Sequence, residues 1–125
     1  MMGYPIRKPY TSERDFFQKN PTVTGMAADD DKITLNPFSN LSPEQQNAIA
    51  LNEASRIYMR NSGEEYAPVT EQQKASFKGT TYENDDKALR RTILARILSG
   101  DSSAGDTTRQ QQIDSFDVYN KLKAR

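Results

Sequence analysis

Asn36-Pro37-Phe38-Ser39-Asn40-Leu41-Ser42-Pro43-Glu44-Gln45 divides this chain into two kinds of sequence. Pro37 fixes its own backbone and pushes Asn36 toward extended conformations. A few residues on, Ser42 can accept from the third backbone amide, Pro43 suits the first helical position and Gln45 can reach back to the cap. Beyond that start, residues 42–124 read as a series of capped helices, while residues 1–38 show no sustained hydrophobic period. The pattern predicts a mainly α fold: a small bundle of three to four short helices over 39–125, preceded by an extended N-terminal arm over 1–38.

Downstream of the break, Ile49, Ala50, Ala54, Ile57 and Tyr58 share one helical face and Asn61-Ser62-Gly63 supplies a stop, which predicts a helix over 43–61. Thr70-Glu71-Gln72-Gln73 repeats the capping grammar and begins a shorter helix with Ala75 and Phe77 as its apolar contribution, ending at Gly79. Leu89, Ile93, Leu94, Ile97 and Leu98 then follow the spacing of a buried stripe, with Asp85 and Asp86 at the positive end and Gly100 as a left-handed stop. Thr107 or Thr108 caps a last helix whose apolar residues are Ile113, Phe116, Tyr119 and Leu122, with Asp117 placed to pair with Lys121. The starts SPEQQNAI, TEQQKASF and TRQQQIDSF look alike, but their unequal separations indicate shared helix-start chemistry, not a repeat.

Upstream, Pro5, Pro9, Pro21 and Pro37 block long helices. Only 11–19 can coil briefly, with Thr11 or Ser12 as cap, Glu13 in the first turn and Phe16 and Phe17 on one side. Thr22-Val23-Thr24 and Lys32-Ile33-Thr34-Leu35 suit short extended segments, neither of which makes a sheet alone.

The chain has 125 residues with 17 basic and 17 acidic side chains, no histidine and no cysteine. Charge balances on both sides of the break, so a general polyanion-binding surface is not indicated. No apolar run approaches a membrane span, and Met1-Met2-Gly3-Tyr4-Pro5 lacks the apolar stretch of a secretory signal, which predicts a soluble chain that is not exported. Without histidine or cysteine, Ser-His-Asp and Cys-His nucleophiles, ordinary zinc enzymes and disulfides are all excluded. Gly100-Asp101-Ser102-Ser103-Ala104-Gly105 departs from a nucleophile elbow, with its second glycine one position late and a helix where a strand should precede it. Asp29-Asp30-Asp31 lacks the alternate-position ligands of a calcium loop, and no dinucleotide or phosphate-loop motif occurs. No catalytic, cofactor or metal residue is assigned, and no enzyme activity is expected.

What remains is the interleaving of Tyr4, Arg7, Lys8, Tyr10, Arg14, Phe16, Phe17 and Lys19. Aromatic rings bring large area at low rotamer entropy and arginine forks to carboxylates or stacks on rings, so Tyr4, Arg7, Tyr10, Phe16 and Phe17 are the candidate partner-binding residues. The same composition suits single-stranded nucleic acid, or packing of the arm on its own body. Arg90, Arg91 and Arg96 on the third helix of the body are candidate nucleic-acid contacts, with a solvated helix face as the plainer reading.

Ile33-Thr34-Leu35-Asn36-Pro37-Phe38-Ser39, the following LSPEQQNAIALNEASRIYMR, and RRTILARILSGDSSA resemble small structural proteins of tailed bacteriophages over residues 33–104. The resemblance lies in style and segment order and carries no site motif, so no functional residue comes with it. It implies an auxiliary head or tail protein, present in many copies, made in the host cytoplasm and assembled into the virion, whose arm docks on larger capsid, portal or tail subunits. The competing expectations are a small regulatory nucleic-acid binder and an inhibitor of a host protein.

Overall fold

The computed structural model describes residues 2–125. Helix α1 spans Thr11–Lys19, strands β1 and β2 span Gly25–Ala27 and Ile33–Leu35, and four helices follow: α2 Pro43–Ser62, α3 Glu71–Ser76, α4 Asp86–Leu98 and α5 Arg109–Lys123, with a short 3-10 turn Ser102–Ala104 before the last. The chain is mainly helical, as its capping grammar predicts.

Helices α2, α4 and α5 pack against one another, and Ala54, Ile57, Leu94, Ala95, Val118 and Leu122 form their shared core. Phe77 joins Leu89 and Ile93 in a second cluster, and half-buried Ile97 packs against both. Burial of side chains this large is worth about 1.5–3 kcal/mol each. Three reciprocal capping boxes start α2, α3 and α5 at Ser42/Gln45, Thr70/Gln73 and Thr108/Gln111. Gly63, at φ +69°, ends α2 in the left-handed conformation that glycine adopts without steric cost.

The like starts of α3 and α5 have a second role. Their box glutamines face each other in the interior: Gln73 Nε2 donates to Gln111 Oε1 at 2.9 Å and Gln111 Nε2 donates to Gln73 Oε1 at 2.7 Å. The remaining amide protons reach the Asp106 and Pro68 carbonyls, both at 3.1 Å, so the buried pair is fully engaged.

Two expectations for the helices need correction. On α5 the buried residues are Gln111, Ser115, Val118 and Leu122, while Ile113 and Phe116 face outward, the latter 66% exposed. Both sets have helical spacing, and the inward turn of Gln111 decides between them. On α3, Gln73 occupies the inner face and Ala75 is exposed, for the same reason.

The leading segment precedes the bundle, but it is neither wholly extended nor separate. Strands β1 and β2 pair antiparallel, with Met26 opposite Thr34, and Ile6 adds a parallel bridge to Ile33. Arg7 N–H donates to the Ile33 carbonyl and Ile33 N–H to the Pro5 carbonyl, each at 2.9 Å. Strand β2 falls within the expected Lys32–Leu35, but its partner is Gly25–Ala27 and not the expected Thr22-Val23-Thr24, of which only Thr24 joins the pairing, accepting from Asn36 N–H at 2.9 Å. Helix α2 packs against both strands, and Gly25 approaches it so closely that a Cβ there would lie 2.6 Å from Ile49 Cγ2. Ile33 joins the core of Ala54 and Ile57. The boundary at residue 38 is therefore a change of sequence pattern and not a break in packing.

Both chain ends meet. Tyr4 is 3% exposed and belongs to the main core, and the Arg125 guanidinium lies 4.2 Å from the centre of its ring. Gly3, at φ +85°, makes the turn into it, where an added Cβ would lie 2.9 Å from Arg125 Nε.

Candidate docking surface

Of the five residues expected to bind a partner, the structure splits the set. Tyr4 and Phe17 are interior, 3% and 0% exposed, and serve the fold. Phe17 packs edge-to-face with Phe16 at 6.1 Å between ring centres, so one ring of that pair is a root and the other is outside. Tyr10 and Phe16 are 59% and 42% exposed, and so remain candidates. Arg7 lies beside Tyr10, its guanidinium 3.9 Å from the ring centre.

The geometry around Arg7 explains how α1 is set. Arg7 Nη1 and Nη2 donate to Glu13 Oε1 and Oε2 at 2.7 and 3.0 Å, a bidentate fork, and its Nε donates to Asp30 Oδ2 at 2.9 Å. Glu13 also accepts from the Tyr10 backbone N–H at 2.8 Å. The hydrogen bonds from Arg7 hold both carboxyls below their usual range, and the same bonds raise the guanidinium further above its own. One cation thus ties the start of α1 to the loop between β1 and β2.

Phe38, which was not singled out as an anchor, joins the surface. Asn36 donates through Nδ2 to the Val23 carbonyl at 2.8 Å and accepts from Phe38 N–H at 2.8 Å, which fixes the turn and leaves the Phe38 ring outside with Arg14 over it at 5.3 Å. The signal was present in Asn36-Pro37-Phe38, an Asx-type turn that throws the next side chain outward. Of the six exposed large hydrophobics among the described residues, Ile6, Tyr10, Phe16 and Phe38 belong to this leading region; the other two are Ile113 and Phe116.

The candidate nucleic-acid residues do not form one ridge. At 100° per residue they point in three directions around α4. Arg90 donates to the Tyr66 carbonyl at 2.7 Å and pairs with Asp86, also at 2.7 Å. Arg96 lies over the Phe77 ring at 4.8 Å, and burial lowers its pKa. Arg91 donates to the Lys87 carbonyl at 3.2 Å.

An open groove of about 1260 Å³ runs between α2 and α4, with Phe16 at its edge and Arg56, Arg91 and Arg96 among its lining residues. Arg56 is a contributor that sequence reading missed, because nothing in its spacing links it to a residue 40 positions away. Among the described residues no group of three acidic side chains is placed to hold a metal: Asp30 pairs with Arg7, and Asp31 with Arg60 at 3.1 Å. Gly100–Gly105 is a helix-terminating loop in which Asp101 accepts from Ser103 N–H at 2.9 Å. No described helix is long and apolar enough to cross a membrane. Neither the known family models nor the curated proteins nor the solved structures contain a match to this chain.

Proposed function

We propose that this chain is a non-enzymatic assembly protein that docks on larger subunits through the outer side of its leading segment. The observation that carries the reading is the exposure of Tyr10, Phe16 and Phe38 on the leading segment, with Arg7 over the first ring and Arg14 over the last. Arginine-braced aromatic rings lose little rotamer freedom on binding and bury large area, which is the chemistry of interface anchors. Lack of histidine and cysteine supports a role without catalysis. The resemblance of residues 33–104 supports a place in the virion of a tailed bacteriophage, with many copies on capsid, portal or tail subunits and avidity from repetition.

The proposed clamp differs from a free arm threading between subunits: the segment is docked on its own body and presents one outer side. Deleting residues 2–38 would remove Ile33 and Phe17 from the interior, so it cannot separate docking from folding. The discriminating variant is Tyr10→Ser with Phe16→Ser and Phe38→Ser. Mass spectrometry of gradient-purified particles should show wild-type protein at stoichiometric level and the triple variant reduced about tenfold, the loss of roughly 1.4 kcal/mol. Undiminished incorporation of a folded triple variant would reject this surface.

A further inference from the structure

The groove between α2 and α4 has a charge arrangement unlike the rest of the molecule. Arg7, Arg60 and Arg90 each form an ion pair. Among the described residues, no ion pair involves Arg56, Arg91 or Arg96, although all three line one groove. Arg56 is held in place by a chain of side chains: its Nε donates to Asn52 Oδ1 at 2.8 Å, and Asn52 Nδ2 donates to Ser99 Oγ at 3.3 Å across to α4. Arg96 is held by the Phe77 ring. Burial lowers the pKa of Arg96; Asp101 opposes that, and the nearby charge of Arg56 adds a smaller lowering.

The groove's two carboxylates offset these arginines only in part, Asp101 facing both Arg96 and Arg56, and Glu53 facing Arg56. Asp101 caps the 3-10 turn by accepting from Ser103 N–H. Burial raises the pKa of Glu53, opposed by the nearby charge of Arg56. With Arg60 included, four arginines and two carboxylates line a groove in a chain whose net charge is zero. Ile49, Leu41 and Tyr82 add apolar lining among the arginines, and Phe16, one of the exposed rings, lines it too.

Resting on the proposed assembly role, we infer that this groove receives an extended acidic segment of the partner, carboxylates to Arg56 and Arg91 and alternate apolar side chains to Ile49 and Tyr82. The stretch of α2 from Gln45 to Arg56 is about 16 Å long at 1.5 Å per residue, enough for roughly five residues of extended peptide. Arginine forks carboxylates bidentately, and an extended peptide sends successive side chains to both sides, which suits a groove whose arginines and apolar residues are mixed on each. The arginines set charge specificity while the aromatic surface supplies the anchors.

The test is a titration of the isotope-labelled full chain, followed by amide and arginine Nε–H resonances. The probes are an acetylated hexapeptide alternating glutamate and leucine, the same peptide with glutamine for glutamate, and a six-nucleotide oligodeoxythymidylate. The acidic peptide should give saturable shifts confined to α2, α4 and β1, and the glutamine peptide none. Arg56→Gln and Arg91→Gln should each weaken binding about tenfold. Should Arg56→Gln disturb the Asn52–Ser99 link, Arg91→Gln carries the test, since its guanidinium bonds only the Lys87 carbonyl of its own helix. Absence of saturable shifts, indifference to both arginine variants, or tighter binding of the oligonucleotide through the same arginines would overturn the inference. The titration uses neither particles nor the aromatic triple variant, so it fails independently of the assembly role.

Discussion

The helical body places Ile57, Leu94 and Val118 in one contiguous core, whereas residues 2–38 are held at separated points: Tyr4, Phe17, Ile33, the Asn36 turn and the Arg7 ion pairs. In the body α2 and α4 carry apolar stripes, so their order follows from local pattern. In the leading segment every point of attachment is non-local, and the residues between attachments remain free to face outward. That difference leaves the exposed rings of the proposed docking surface between the anchors and not on them.

The comparison can be broken most severely from the body. Leu94→Ala should cost about 2–5 kcal/mol and lower the denaturation midpoint of the whole chain in a single transition, because the leading segment packs against α2 and has no core of its own. A transition that leaves β1 and β2 intact would show the two regions to be independent. Gln111→Leu should cost about 1–3 kcal/mol, since it leaves the Gln73 amide and the Thr108 and Pro68 backbone groups without their partner; urea denaturation measures it.

The next effects sharpen the contrast from the leading side. Gly25→Val should cost about 1–3 kcal/mol by forcing β1 away from Ile49, and chemical shifts should move in β1, β2 and α2 while those at the Gln73–Gln111 pair stay fixed. Arg7→Met should lower stability by less than either core substitution, because solvent screens its ion pairs. Its pH dependence has a definite sign. The folded pKa of Glu13 lies below its ordinary value of 4.5, so the contribution from Arg7 is present above that value and fades as pH falls through the depressed one. Wild type and Arg7→Met should therefore converge in stability under acid; a difference that persists or grows there would contradict the ion-pair account.

Much of the body was legible because its rules are local. The α2 start at Ser42-Pro43, its stop at Gly63, the Asp117–Lys121 pair at 3.0 Å and the buried Leu89, Ile93 and Leu94 all follow from caps and periodicity. The α5 face was misread because Ile113 and Phe116 outrank Gln111 and Ser115 in hydrophobicity, yet a glutamine with a matched amide partner can be buried at small cost. In the leading segment, 11–19 and the extended 33–35 were legible, but their attachment was not. A two-stranded pairing with an added bridge leaves no period in the sequence, and Gly25 shows no reason for its identity until Ile49 lies over it. Of the candidate surface, Tyr10 and Phe16 could be named in advance, while Phe38 and Arg56 required the fold to bring them alongside.

Residue-resolved amide hydrogen exchange on the isolated full chain addresses the central claim, that the leading segment is ordered before any partner arrives. The Arg7, Ile33 and Asn36 amides, each bonded at 2.9 Å to a carbonyl elsewhere in that segment, should exchange about 100-fold or more slower than in an unstructured chain. Exchange of those three at free-chain rates, with α4 still protected, would contradict it.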